Sequence, residues 1–428
     1  MNLLLLIYIT IVYAGSLQLN LKPRPKTVSR IKIHDISLPA KQREGYYGIE
    51  LGFGSENETV EVLLDTGSSD LWVPDASFVC DLSAYAAEHD VNVSEVRLTC
   101  PTSSFDWQQS TSFHNSQAEF RIVYGDGSAA VGFYGRDSVT MGDVVLNDTV
   151  FAVANSTDGQ GIMGIGFPEL EVSNLDPANA SMYENFPHRL KSAGVTDRAI
   201  YSIQLTDDAP GGTILFGAVD RQKFVGDLVT LPVLTPIGVR QRLIVQLDSV
   251  LLGEDGKIPT LIALTSNALI DTGSTESWFP QKTLQKMAEL LDGEEKDDDY
   301  LVNSTVAENK KLYVTFLGLT IGVPVNVEPI DSERSELHYG LQEKFQGIDI
   351  IIGQDILSKL YVVFDLESLE ISMAQQSDSK ESDIELVGAD GHFNKLSTYK
   401  NYESSASSQA GVSVLLLLFS LLVTSIGC

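Results

Sequence analysis

The chain has 428 residues, 43% hydrophobic and 20% charged, which is enough apolar material for two domains with sizeable cores. Its formal net charge is −29, and no nucleic acid is expected as a partner. The six histidines are dispersed and no nucleotide loop stands out among the motifs, so neither a metal nor another cofactor is expected.

In chain order, Leu3 to Tyr13 is an apolar run followed by the small residues Ala14 and Gly15, which reads as a signal peptide over 1–15, although it lacks a basic n-region. Residues 16–43 carry seven basic side chains against one acid, Asp35, for a charge of +6. The remaining 22 basic and 57 acidic residues give −35, so a cationic arm precedes an anionic body. From Tyr46 onward, short runs rich in Val, Ile, Phe and Tyr alternate with Gly, Asn, Asp and Ser, the pattern of an all-β protein.

One unit occurs twice. Asp65-Thr66-Gly67-Ser68-Ser69-Asp70-Leu71-Trp72-Val73-Pro74 recurs as Asp271-Thr272-Gly273-Ser274-Thr275-Glu276-Ser277-Trp278-Phe279-Pro280, with six of ten positions identical and an apolar run before each copy. Each reads as a buried strand that ends at an aspartate and turns on a glycine. A single Asp-Thr-Gly turn is commonplace; a pair with shared Ser, Trp and Pro offsets implies two similar lobes, each delivering one carboxylate to a common seam. Like charges roughly 3 Å apart cannot both ionise, so the pair shares a proton, one member serving as base toward a water and the other as acid. Further along, Glu119 to Ser128 resuming at Val131-Gly132-Phe133 predicts a β-hairpin with a glycine-rich tip, Tyr124-Gly125-Asp126-Gly127-Ser128. Gly161-Ile162-Met163-Gly164-Ile165-Gly166 and Ile350-Ile351-Ile352-Gly353 read as apolar core strands ending in glycine.

Together these motifs resemble the pepsin-type aspartic endopeptidases, from roughly Gly45 to Gln375. The resemblance implies a bilobal all-β fold with the site between lobes 44–220 and 221–375, joined near Arg221, and Asp65 and Asp271 as the catalytic dyad. It implies that Thr66 and Thr272 interlock the two loops, that Gly67 and Gly273 support the dyad, and that the hydroxyls of Ser68 and Ser274 reach the outer carboxylate oxygens. Tyr124, Gly125, Asp126 and Gly127 match a substrate-covering flap, and Trp72 the tryptophan whose ring nitrogen reaches the flap tyrosine. Trp278 has no matching flap partner and is expected to be structural. The two glycine-ended strands are expected to cross behind the loops. The basic segment 16–43 matches a propeptide that lies across the cleft, with Arg43 as its last residue. Pepsin-like enzymes usually carry a second-lobe disulfide, and this chain has no cysteines for one, which bears on the rigidity of that lobe rather than on the chemistry.

Residues 376–403 are polar and weakly patterned and read as a stalk. Residues 404–428 lack charge, and small residues from Ser404, a short spacer and an apolar tail match a glycosylphosphatidylinositol attachment signal, with Ser404 as the expected site. A spanning tail helix is the alternative. Cys428 leaves with that tail, so Cys80 and Cys100 remain to close a disulfide worth about 3 kcal/mol, or to stay as free thiols. Six sequons, at Asn57, Asn92, Asn147, Asn155, Asn179 and Asn303, fit a secretory surface protein. The whole outline resembles the yapsins, fungal surface proteases that cut after basic residues. Asp126 at the flap tip is then expected to favour Lys or Arg before the scissile bond. The acidic run Asp292 to Asp299 reads as a solvated surface loop. The expected partners are peptide or protein substrates and, through the anchor, the outer face of the plasma membrane or the cell wall; a monomer is expected. Two other classes compete. A glycosidase needs about 5 Å or more between its carboxylates and has no use for the repeated unit. A catalytically idle surface binding protein has no reason to keep both aspartates, the flap tyrosine and the loop hydroxyls.

Overall fold

The computed structural model describes residues 17–20, 22–23, 46–78, 101–125, 127–157, 159–175, 181–206, 211–236, 240–296, 299–343 and 346–393. The signal segment, most of the basic arm, Cys80, Cys100, Asn92, Asn179, Asp126 and Ser404 lie outside the described residues.

The described chain is mostly strand. In Glu58–Asp65 the residues Val60, Val62 and Leu64 are buried at every second position, so one face of the strand belongs to the core and the strand delivers Asp65 at its end. This strand pairs in parallel with Gly161–Gly164, which pairs antiparallel with Leu71–Pro74. The second copy repeats the arrangement: Thr260–Ile270 runs parallel to Ile350–Ile352, and Trp278 sits opposite Ile351. Each glycine-ended strand therefore lies between the two arms of its Asp-Thr-Gly loop. A Cβ on Gly164 would stand 2.5 Å from the Ser69 nitrogen, and one on Gly353 would stand 2.4 Å from the Glu276 carbonyl oxygen. Only glycine fits so close a crossing.

The first unit belongs to an eight-stranded sheet and the second to a seven-stranded sheet. A six-stranded sheet joins both halves of the chain: Ile200–Leu205 pairs with Leu360–Asp365, and Phe224–Pro232 pairs with Glu370–Gln376. Tyr201 and Phe364 stack at 5.0 Å within it, and one core cluster runs through all three sheets. The basic arm contributes at two places. Leu17–Asn20 pairs with Gly212–Phe216 at the edge of the six-stranded sheet, and Lys22–Pro23 pairs with Tyr47–Phe53. Of the acidic run, Glu294–Lys296 forms a short, fully exposed strand.

The stalk expected over 376–403 needs correction at its start. Ile384–Leu386 pairs with Ala218–Asp220, and Val387 and Phe393 are buried against Ile200, Val219 and Tyr361. Asp220 accepts hydrogen bonds from Ser382 Oγ at 2.7 Å and from the Asp383 amide at 2.8 Å. A polar segment with two well-spaced apolar residues thus forms a strap on the body.

Candidate active site

Asp65 ends its core strand and Asp271 directly follows its own. The loops that follow hold each other. Thr66 Oγ1 donates to the Ile270 carbonyl at 2.8 Å and accepts the Thr272 amide at 2.9 Å; Thr272 Oγ1 donates to the Leu64 carbonyl at 2.9 Å and accepts the Thr66 amide at 3.1 Å. Both threonines are 1% exposed, so these four bonds have no competition from water. The expected interlock is present in full.

The interlock turns each glycine toward the opposite carboxyl group. A Cβ on Gly67 would lie 2.5 Å from Asp271 Oδ2, and one on Gly273 would lie 2.5 Å from Asp65 Oδ1. Any side chain at either position would displace an aspartate. The Gly67 amide donates to Asp65 Oδ1 at 2.7 Å, the Gly273 amide donates to Asp271 Oδ1 at 2.8 Å, and the two carboxyl groups hydrogen-bond each other.

The outer oxygens are treated differently. Ser68 Oγ donates to Asp65 Oδ2 as expected. The Ser274 amide reaches Asp271 but its hydroxyl does not: the hydroxyl donates to the Glu276 carbonyl at 2.8 Å and accepts from Trp278 Nε1 at 3.0 Å. Burial raises the pKa of both aspartates. At Asp65 the Ser68 hydroxyl, the Gly67 amide, Asp271 and the Ser68 amide oppose that rise; at Asp271 the Asp65 charge adds to it and holds the pKa well above the carboxylate range. The Ser68 hydroxyl thus favours the charged form at Asp65, and that charge favours the protonated form at Asp271.

His114–Val123 and Ala129–Met141 form the predicted hairpin, with Val123 opposite Ala129. Its turn is closed by the Tyr124 amide on the Ser128 carbonyl at 2.8 Å, with Gly127 at φ 86°. A Cβ on Gly125 would meet nothing within 4 Å, so Gly125 stands in open space. Trp72, 1% exposed, donates from Nε1 to the Tyr124 hydroxyl at 2.7 Å. Of the sequons, Asn57, Asn147 and Asn155 are exposed, while Asn303 accepts the Val306 amide as the cap of a short helix. No group of His, Cys, Asp and Glu able to hold a metal occurs among the described residues.

Three features escape the sequence reading. The acid five positions after each aspartate is buried in both copies. Asp70 accepts the Tyr134 hydroxyl at 2.7 Å, the Tyr183 hydroxyl at 2.9 Å and the Val172 amide at 2.9 Å; Glu276 lies 3.4 Å from His338 Nε2. Trp278 is a partner of Ser274 rather than mere packing. Arg242 is half-buried beside the dyad, and both aspartates act on its charge. The first was visible as Asp and Glu at matching offsets; the other two depend on contacts that the sequence does not display.

Comparison with known proteins gives the same family. Residues 46–376 match the family model described as eukaryotic aspartyl protease. Secreted aspartic protease 9 of Candida albicans is 34% identical over 303 residues, covering 68% of this chain and 55% of that protein. The chain thus spans about half the length of this relative. Yapsin-3 of Saccharomyces cerevisiae is 30% identical over 357 residues, covering 78% of this chain and 66% of the relative. The aspartic proteinase from Irpex lacteus superposes with a TM-score of 0.65 at 17% identity, over 86% of this chain and 99% of that one, and so shares the fold. With its paired Asp-Thr-Gly loops interlocked and its flap hairpin in place, the chain belongs to the eukaryotic aspartyl protease family, with yapsins and Candida secreted aspartic proteases among its relatives.

Proposed function

We propose that the protein is an aspartic endopeptidase in which Asp65 and Asp271 cleave peptide bonds through a shared proton. The observation that carries this reading is the mutual approach of each loop glycine to the opposite aspartate, fixed by the threonine interlock. A water between the carboxyls gives a proton to ionised Asp65 and attacks the peptide carbonyl, while Asp271 donates its proton to the carbonyl oxygen. Collapse of the tetrahedral intermediate returns a proton to the leaving amine, and the dyad regains its single proton.

The finer reading is yapsin-like. Asp126 at the flap tip favours Lys or Arg before the scissile bond. Segment 16–43 acts as a propeptide, which accords with the strands that Leu17–Asn20 and Lys22–Pro23 add to two different sheets. Entry to the secretory pathway through 1–15 and lipid anchoring at Ser404 place the enzyme at the cell surface, with the Cys80–Cys100 disulfide and glycans on its sequons. Residues 44–220 and 221–375 serve as the two catalytic lobes, and the enzyme works as a monomer. No described helix is long and apolar enough to cross a membrane.

The test is digestion of a mixed peptide library at pH 4 to 6 by the form truncated before Ser404, beside its Asp271→Asn variant. Cuts after Lys or Arg that fall about a thousandfold in the variant are expected. Cuts at apolar pairs would discard the basic preference, and no cuts from a folded, propeptide-free protein would discard the enzyme.

A further inference from the structure

Among the described residues, Arg242 is a cation near the dyad that the dyad chemistry does not use. Arg242 immediately precedes Leu243, whose carbonyl accepts the Ile270 amide at 3.0 Å, so the segment is tied to the strand that ends at Asp271. The guanidinium is half-buried. Its Nη2 donates to Gln346 Oε1 at 3.0 Å, a neutral acceptor, while Nε is buried with no hydrogen-bond partner among the described residues. The dyad's negative charge acts on it, yet neither aspartate forms an ion pair with it among the described residues. Two residues earlier, Arg240 Nη1 donates to the Glu169 carbonyl at 3.0 Å, so the segment also bridges to the first lobe, at the turn Pro168–Leu170.

A guanidinium offers five donors in a fixed fork, and this partly desolvated one has a hydrogen bond to a neutral amide but no direct ionic partner among the described residues. The aspartates cannot neutralise it during the reaction, because Asp65 must take a proton from water and Asp271 must give one up. We propose that Arg242 binds an acidic side chain of the substrate close to the scissile bond. The inference rests on the endopeptidase reading and extends it. Together with the basic preference proposed above, this makes the preferred substrates dipolar, with a basic residue and an acidic residue near the cut. In a body of net charge −35 an acidic substrate group is repelled at long range, and only a local cation such as this makes it acceptable.

The experiment is a matched series on one cleavable peptide, in which Glu or Gln is placed singly at each of three positions on either side of the scissile bond. It reads kcat/KM at pH 5.5, where a free Glu is ionised. At one position Glu is expected to exceed Gln by at least about tenfold, the ordinary contribution of a charge-assisted hydrogen bond. The ratio should fall to about one in Arg242→Gln and keep an intermediate value in Arg242→Lys, which retains the charge without the fork. Melting curves check that each variant is folded, and the Lys variant alone decides if the Gln variant is not. Ratios near one at all six positions, with every peptide still cut, overturn the proposal and leave the protease standing. So does a ratio that persists in folded Arg242→Gln, or a variant that shifts only the pH profile. Absence of cleavage altogether would sink the protease reading and this proposal with it.

Discussion

Ser68 and Ser274 hold the same place in the repeated unit and serve different partners. The cause lies in the tryptophans. Trp72 gives its indole hydrogen to the flap tyrosine, whereas Trp278 has no tyrosine to meet and a part-buried indole still needs an acceptor, so it takes the Ser274 hydroxyl. That hydroxyl is then spent on Glu276 and not on Asp271. The asymmetry helps to keep the proton on Asp271. Trp278→Phe removes the donor that orients the Ser274 oxygen, and a hydroxyl that then exchanges the Glu276 carbonyl for Asp271 should stabilise the charged form of Asp271, lowering the alkaline limb of the activity profile by about one pH unit. An unmoved limb would show that Ser274 stays turned away without the indole. The serine and tryptophan offsets were legible in the sequence, and they led to a symmetrical expectation. What broke the symmetry was a partner contributed by only one hairpin, which no offset records.

At the scale of elements, the two loops and the strap make different claims on stability. Thr272→Val removes two buried bonds at the interlock, at about 1 to 3 kcal/mol for each group left without a partner, and should lower the melting temperature by several degrees. The strap is anchored by Phe393, and Phe393→Ala should cost about 3 kcal/mol with the dyad untouched, so melting falls while kcat/KM holds. A variant as stable as the parent would mean that the strap is not part of the folded body. The paired aspartate strands, the crossing strands and the flap hairpin could be read from the chain because each has a local pattern of alternation and glycine. The strap could not. Its strand is three residues long and its burial comes from residues far away, so composition alone reads it as stalk.

Across the whole molecule, buried carboxyl groups favour acid. Glu171 is 0% exposed, and burial, with the charges of Asp70 and Glu169 beside it, pushes its pKa to about 9. A carboxyl raised in the fold from 4.5 stays protonated there while the unfolded chain releases its proton. The contribution is therefore greatest below about pH 4.5 and is lost as pH rises toward 9, by up to about 1.4 kcal/mol per pH unit. Asp70, Asp271 and Asp355 are shifted in the same direction by burial. The melting temperature should fall between pH 5 and 8. Glu171→Gln, which keeps an acceptor for the Tyr183 amide, should flatten that slope; an unchanged slope would remove Glu171 from the account.

The central claim is that one proton is shared between two aspartates held by interlocked loops. Its most direct test is the pH dependence of kcat/KM on a single peptide from pH 3 to 8, for the protein and for Asp65→Asn and Asp271→Asn. The account predicts a bell whose acid limb reports ionisation of the pair's first proton and whose alkaline limb reports loss of the second, with both variants down about a thousandfold. A profile with one limb only, or a folded variant that keeps a tenth of the rate, would contradict it.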